Sequence, residues 1–254
     1  MVDFSNLARA SRNLPQPVPD TSEIEMRCSR YGDQTTVSLI PTKHVLSDEG
    51  SYFVATNATP GTAVLYPLTT GFTDTVPFLY VYNNDKPTNP AYKRVFLDYI
   101  KIVIIQAPAN STQSYFAIKL DTVARSLGTN NTAAVTPVSP NMDITPTSVT
   151  TLNIQSSATA SAITAASASA RVGARGAFGG LPIAGDELVV ICGSADVGAY
   201  SGLTAAQAVC PGRKCSNSPP ILLGPGQSAT MHLWFPGNST TALTYELEMA
   251  WWER

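Results

Sequence analysis

The stretch that decides the fold is YKRVFLDYIKIVIIQAPANSTQSYFAIKLD, which spans residues 92–121. From Val95 to Ile105 only two charged residues interrupt a run of Val, Phe, Leu, Tyr and Ile, and Pro108 soon follows. A run that is this long and this rich in β-branched residues is typical of a strand covered on both faces.

The second half of this stretch alternates. Phe116, Ile118 and Leu120 are apolar at every second position, and the positions between them include Tyr115 and Lys119. This alternation predicts a strand with one buried and one solvated face. A two-sided strand beside a one-sided strand indicates a sandwich whose outer face is partly covered.

The rest of the chain divides into an arm and a β domain. Residues 1–34 hold three closely spaced prolines and few apolar anchors, which predicts an extended N-terminal arm. We expect a single β domain over residues 35–254, because an all-β domain of this size is routinely one unit. Its strands are expected at 34–46, 63–68, 77–82, 95–105, 114–121, 148–155, 186–194, 228–235 and 243–254.

Three segments between these strands lack a clear period. Residues 126–147 form a long loop with several prolines, and loops of that length are usually functional or interaction surfaces. Residues 156–170 are almost wholly Ala, Ser and Thr and are expected to be irregular. Residues 173–180 contain four glycines and are expected to form a flexible loop. The chain is therefore predicted to be an all-β, antiparallel sandwich of about eight to ten strands.

The C-terminal segment gives the clearest period of two. Tyr245, Leu247, Met249 and Trp251 alternate with more polar residues. Adjacent residues on a strand point to opposite faces, so Trp252 must leave the core that Trp251 enters. Aromatic residues anchor interfaces, and we therefore take Trp252 and, in the basic-aromatic entry to the long strand, Tyr92 as candidate subunit-contact residues.

Composition limits the partners. Charged residues make up 13% of the chain, about half the usual share, which suggests a surface largely occupied by neighbours. The formal net charge of −2 gives no global basic field for nucleic acid. No run of apolar residues is long enough to span a membrane, and the N-terminus lacks the features of a secretory signal, which predicts synthesis in a cytosol.

Catalytic and metal motifs are missing from the sequence. It contains no Gly-x-Ser-x-Gly motif, and its two histidines lie far from any Cys-x-x-Cys unit, so we predict no catalytic residue, no metal site and no cofactor. Cys192 lies in an apolar strand and is interpreted as a core residue. Cys210 and Cys215 bracket a loop and are interpreted as a free or loop-closing thiol pair.

Arginines are sparse, and none forms the basic block of a nucleic-acid tail. Single loop or arm arginines can still contact phosphate, and the candidates for such contacts are Arg9, Arg12, Arg171 and Arg175.

Taken together, the chain resembles the jelly-roll coat proteins of small icosahedral viruses. The residues that carry the resemblance are NPAYKRVFLDYIKIVIIQAP (residues 89–108), which are similar to the third strand of such coats, with the strands at 114–121 and 245–251 following the same plan. The resemblance covers residues 36–254 in pattern, and the chain departs from many such coats in lacking an arginine-rich arm. It implies a jelly-roll capsid protein that assembles with copies of itself into a shell in the virion, made in the host cytoplasm and with weak interior contacts to the viral genome.

Two other classes compete with this interpretation. A carbohydrate-binding or adhesin-type sandwich would explain the Trp, Tyr, Asn and Asp content, but it would be expected to carry a signal peptide. An enzyme on a cupin-like fold would need a histidine cluster for its metal, and two histidines argue strongly against it.

Overall fold

A computed structural model describes residues 42–57, 59, 61–67, 69–109, 113–125, 131–180, 182–193, 213–237 and 242–254. The predicted arm, with Arg9 and Arg12, lies outside the described residues. Two compact units divide at residue 45, and the first is described only over its last four residues. The second unit, Leu46–Arg254, contains all of the described strands.

Within the described residues, one helix, α1 (Thr42–Asp48), precedes thirteen strands. These are β1 (Tyr52–Thr56), β2 (Val64–Tyr66), β3 (Leu79–Asn83), β4 (Val95–Gln106), β5 (Ser114–Asp121), β6 (Thr132–Val135), β7 (Thr150–Gln155), β8 (Arg171–Phe178), β9 (Glu187–Cys192), β10 (Arg213–Ser218), β11 (Leu222–Leu223), β12 (Ser228–Trp234) and β13 (Leu243–Glu253).

The strands form two sheets. A seven-stranded sheet has the order β1-β13-β4-β9-β10, with β2 also paired to β13 and β11 to β4, and a six-stranded sheet has the order β6-β7-β3-β12-β5-β8. Every pair is antiparallel except β9 with β10, which is parallel. The all-β prediction is therefore confirmed, whereas the expected count of eight to ten strands is too low and one strand pair is not antiparallel.

Four of the pairs are nested along the chain. β1 pairs with β13, β3 with β12, β4 with β9, and β5 with β8, all antiparallel. β13 then joins β4 in one sheet and β12 joins β5 in the other. The chain thus runs like one long hairpin whose paired arms are distributed between the two sheets.

One hydrophobic core lies between the sheets, because alternate residues of each strand point into it. Tyr245, Leu247, Met249 and Trp251 are all buried there, which confirms the alternation predicted for β13. Residues from both sheets complete the core, including Phe53, Ile100, Ile102, Phe116, Ile118, Leu152, Leu188, Met231 and Leu233.

A second, smaller cluster covers the outer face of the seven-stranded sheet. It contains Leu46, Tyr52 and Ala250, with Tyr99 and Trp252 packed against it. The register of the β4–β13 pair shifts at this point: Ala250 pairs with Tyr99, whereas the next residue, Trp251, pairs with Leu97. This cluster covers the long strand at Tyr99, but farther along the same strand Val103 is half-buried and Ile105 is exposed, so the predicted covering of both faces holds only in part.

Three predicted segments differ in the structure. Residues 42–46 belong to α1 and are not part of a strand, β6 lies inside the segment predicted to be a loop, and the glycine-rich residues 173–178 belong to strand β8. Glycine suits β8 because a Cβ on Gly176 would lie 2.7 Å from the ring of Phe116. A Cβ on Gly173 would lie 2.9 Å from Leu120, beside a register shift in the β5–β8 pair.

Replacing Gly176 by Ala is therefore expected to lower the free energy of unfolding by roughly 1–3 kcal/mol, because the buried Phe116 must move. The control is Gly179→Ala, where an added Cβ meets nothing within 4 Å and the change should stay within about 0.5 kcal/mol. Urea unfolding of both variants measures the difference. Equal effects would show that Gly176 is not selected by packing.

Candidate subunit-contact surface

The sandwich has two flanks, each formed by the edge strands of both sheets. On one flank the chain leaves β6 and crosses to β1, where Val54 donates to the carbonyl of Val138 at 2.9 Å and Val138 donates back at 2.8 Å. This crossing links the edge of the six-stranded sheet to the edge of the seven-stranded sheet.

The residues after this crossing are held by specific contacts. Asn141 donates its amide to the carbonyl of Ser47 at 3.3 Å and accepts a bond from the N–H of Asp143 at 2.9 Å. Ile144 packs so closely on Gly50 that a Cβ there would lie 2.6 Å from its Cδ1, and Gly50 has a φ of 72°. The segment is therefore an ordered, exposed surface, and its role in interaction stays a prediction.

This surface is apolar at its centre. Met142 is 92% exposed and Val138 is 53% exposed, and Ile144 is also exposed. Two exposed carboxylates, Asp48 and Asp143, lie in the same region, and neither has an ion-pair partner among the described residues. We call these five residues the Met142 flank.

The opposite flank is formed by β8 and β10. A groove of about 460 Å³ opens there, lined by Val172, Gly173, Ala174, Arg175 and Pro219, and we call it the β8 groove. Val172 is 54% exposed. Strand β10 lies across the groove and approaches β8 closely, since Ser216 Oγ is 3.0 Å from the position that a Cβ on Gly176 would take.

The two described arginines of the nucleic-acid prediction both lie on β8 and are exposed. Arg171 pairs with Leu120 and Arg175 pairs with Ala117. The register shift lies between these two pairs and reverses the alternation of side chains along β8, so the two arginines lie on opposite faces of the sheet. Neither has a carboxylate partner in the described part of the chain, whereas Lys119 and Lys214 are paired with Asp74 and Asp186.

The two aromatic interface candidates lie near the start of β4. Trp252 is half-buried on the outer face of its sheet and stacks on Phe96, with ring centroids 5.5 Å apart and planes 4° apart. Tyr92 is exposed, and the guanidinium of Arg94 lies 5.8 Å from its ring centroid. The prediction that Trp251 and Trp252 face opposite ways is confirmed; contact with another subunit stays a prediction.

A partly buried charged cluster that the sequence did not indicate lies on the outer face of the six-stranded sheet. Arg125 is only 1% exposed and bonds the carboxylate of Asp74 at 3.2 Å, and Lys119 bonds the same carboxylate at 2.7 Å. Burial alone would raise the pKa of Asp74, but the bond from Lys119 and the charge of Arg125 hold it below its usual value. Burial lowers the pKa of His232, beside this cluster, to about 4.

The two described cysteines both lie on strands. Cys192 is buried in the core, as predicted, and burial raises the pKa of its thiol to about 12. Cys215 lies in β10, not in a loop, and Cys210 lies outside the described residues. Among the described residues, no group of three or more His, Cys, Asp and Glu side chains is arranged to hold a metal ion.

Comparison with protein-family models gave no match, and neither the curated proteins nor the solved structures gave one. Within the described ranges, no helix is long and apolar enough to cross a membrane.

Proposed function

We propose that this chain is a jelly-roll coat protein that self-assembles into a closed icosahedral shell around a viral genome. A jelly roll is a double-sheet fold in which the paired arms of one long hairpin wrap around a common core. The four nested pairs, β1·β13, β3·β12, β4·β9 and β5·β8, support this topology. The five other strands, β2, β6, β7, β10 and β11, are then additions to an eight-stranded plan.

Fold alone does not define function, so the surface has to carry the proposal. The observation that carries it is an ordered, exposed apolar surface, centred on the 92% exposed Met142, in a chain with only 13% charged residues. Exposed apolar patches mark interaction sites, and most soluble oligomers are symmetric assemblies of identical chains.

The genome contact in this proposal is weak and depends on few cations. Arg171 and Arg175 are the described candidates, and Arg9 and Arg12 are the candidates in the arm. Each phosphate that one subunit neutralises adds only about one unit to the salt dependence, so appreciable binding requires many subunits acting together. The proposed location is the virion, after synthesis in the host cytoplasm.

A carbohydrate-binding sandwich is less well supported. Sugar binding of that kind uses an aromatic ring face that is open to the ligand. One face of Trp252 is covered by Phe96, and the side chain packs against the outer cluster. Trp251 is fully buried in the core.

Purified protein at physiological salt is expected to elute as a large particle in size-exclusion chromatography and to show closed shells in negative stain. The physical reason is burial of the exposed apolar surface against other copies. A matched sample at 1 M NaCl tests whether charge pairs contribute, because screening weakens exposed pairs. A stable monomer at high concentration would contradict the proposal.

A further inference from the structure

We infer that the Met142 flank of one copy docks into the β8 groove of a second copy. The inference rests on the proposed function, since it names the surfaces through which copies assemble. It also makes the contact heterologous, because two different surfaces of the same chain meet.

The two surfaces lie on opposite flanks of one sandwich. β1 and β6 are the edge strands on the side of the Met142 flank, and β10 and β8 are the edge strands on the side of the groove. Because the Met142 flank and the β8 groove lie on opposite sides, each copy can bind one neighbour through the flank and a second neighbour through the groove. Such head-to-tail contacts generate rings when the rotation closes, which a closed shell requires.

Shape favours this pairing. Met142 projects almost fully into solvent from a segment held by Asn141 and by the packing of Ile144 on Gly50. The groove offers about 460 Å³ beside Val172, Ala174 and Pro219, which is ample for a Met side chain. Methionine is unbranched and polarizable, so it fills an irregular apolar groove well.

Charge complementarity selects a second copy as the occupant. The Met142 flank carries Asp48 and Asp143, and Arg175 lines the groove; none of the three has an opposite-charge partner among the described residues. Unpaired acids around an apolar projection and an unpaired arginine in an apolar groove would pair on docking. Complementary charges of this kind fix the register of an interface and exclude wrong partners.

A charge-swap series tests the pairing. Asp143→Arg alone and Arg175→Asp alone should each lower the assembled fraction about ten-fold, and the double variant should return it to near wild type. Lys86→Asp, an exposed change outside both surfaces, is the matched control and should leave assembly unchanged. Circular dichroism of each variant verifies the fold, since all these side chains are exposed.

Cross-linking tests the contact directly. Oxidation of a Met142→Cys/Val172→Cys variant should give a ladder of covalent multimers that the wild type, with its four native cysteines, does not give. The control is Met142→Cys/Leu65→Cys. Leu65 lies on β2, on the same side of the sandwich as Met142, so one copy cannot be linked to a neighbour on each side and no ladder should form.

The outcomes separate the inference from the proposed function. Wild-type shells together with unaffected swap variants and no ladder would overturn the inference alone, whereas a monomeric wild type would overturn both. Dimers from Met142→Cys alone would mean that two Met142 flanks meet, which also overturns it. Loss of oligonucleotide binding by Arg175→Asp with assembly intact would assign Arg175 to the genome instead.

Discussion

A Glu253→Ala variant is expected to lose roughly 3–5 kcal/mol of unfolding free energy, which is a large part of the stability of an ordinary domain. Glu253 is only 2% exposed at the end of β13. Its carboxylate accepts hydrogen bonds from Ser148 Oγ (2.5 Å), Val149 N (3.1 Å), Thr150 Oγ1 (2.8 Å) and Trp251 Nε1 (3.1 Å), with Lys93 Nζ at 3.9 Å.

The effect is large because these donors belong to different parts of the fold. Glu253 lies in the seven-stranded sheet, and residues 148–150 lead into β7 of the six-stranded sheet. Removing the carboxylate leaves several buried donors without an acceptor, and each of them then carries its full desolvation cost. Glu253→Gln keeps the shape but places an NH₂ group among donors, so it should also destabilise.

Urea unfolding at pH 7, followed by far-ultraviolet circular dichroism, measures the loss. The matched control is Glu49→Ala, whose exposed carboxylate pairs with the exposed Arg254 at 2.8 Å. An exposed pair contributes about 0–1 kcal/mol, so this variant should change little. Similar losses in the Glu49 and Glu253 variants would refute the role given to the buried carboxylate.

Strand periodicity was predictable where side chains alternate cleanly. β13 shows this best, since the four residues predicted to share one face, Tyr245 to Trp251, all lie in the core. β8 was missed because its glycines hide the strand signal: Gly173 and Gly176 are required by close packing on Leu120 and Phe116, which no local pattern reveals.

The helix α1 carried a sequence signal that the prediction did not use. Gly50 has a φ of 72°, its N–H donates to Ser47, and Ser51 donates to Leu46, which is the arrangement that ends many helices at a glycine. The glycine after Ser47-Asp48-Glu49 therefore indicated a helix end. The β-branched residues before it favoured a strand on propensity alone, and the local hydrogen bonds prevail over that preference.

The candidate site was predictable only as a region. The length and prolines of residues 126–147 indicated an exposed loop, but the exposure of Met142 follows from the crossing between Val138 and Val54, a contact between distant parts of the chain. The same holds for Asp74 and Arg125, which are 51 residues apart and form a partly buried pair that spacing cannot disclose.

Acidification from pH 7 to pH 4 is expected to remove about 3 kcal/mol of stability through His232 alone. The ring is buried between Thr73 and Thr230: Nδ1 lies 3.1 Å from the carbonyl of Thr73, so it carries the proton, and Nε2 accepts from the hydroxyl of Thr230 at 3.0 Å. The neutral ring therefore satisfies both partners.

The sign follows from which state binds the proton. Burial lowers the pKa of folded His232 to about 4 from the ordinary 6.5; the Asp74 charge opposes this shift, and the Arg125 and Lys119 charges add to it. Between these two pH values the unfolded chain is protonated and the folded chain is not, so stability falls as the pH falls through this window. Asp74, whose pKa is held below 3.8, loses its contribution only at lower pH.

Urea unfolding at several pH values between 7 and 4 measures the effect by comparing wild type with His232→Gln. Gln has no titration in this range and can still donate to Thr73, so its stability should fall less steeply with acid, whatever its stability at pH 7. The control is His44→Gln, which replaces the other, exposed histidine and leaves His232 in place, so the fall in stability that His232 causes should remain. A His232→Gln variant that loses stability as steeply as wild type between pH 6.5 and 4 would mean that the buried ring already carries its proton in the folded chain, next to Arg125 and Lys119.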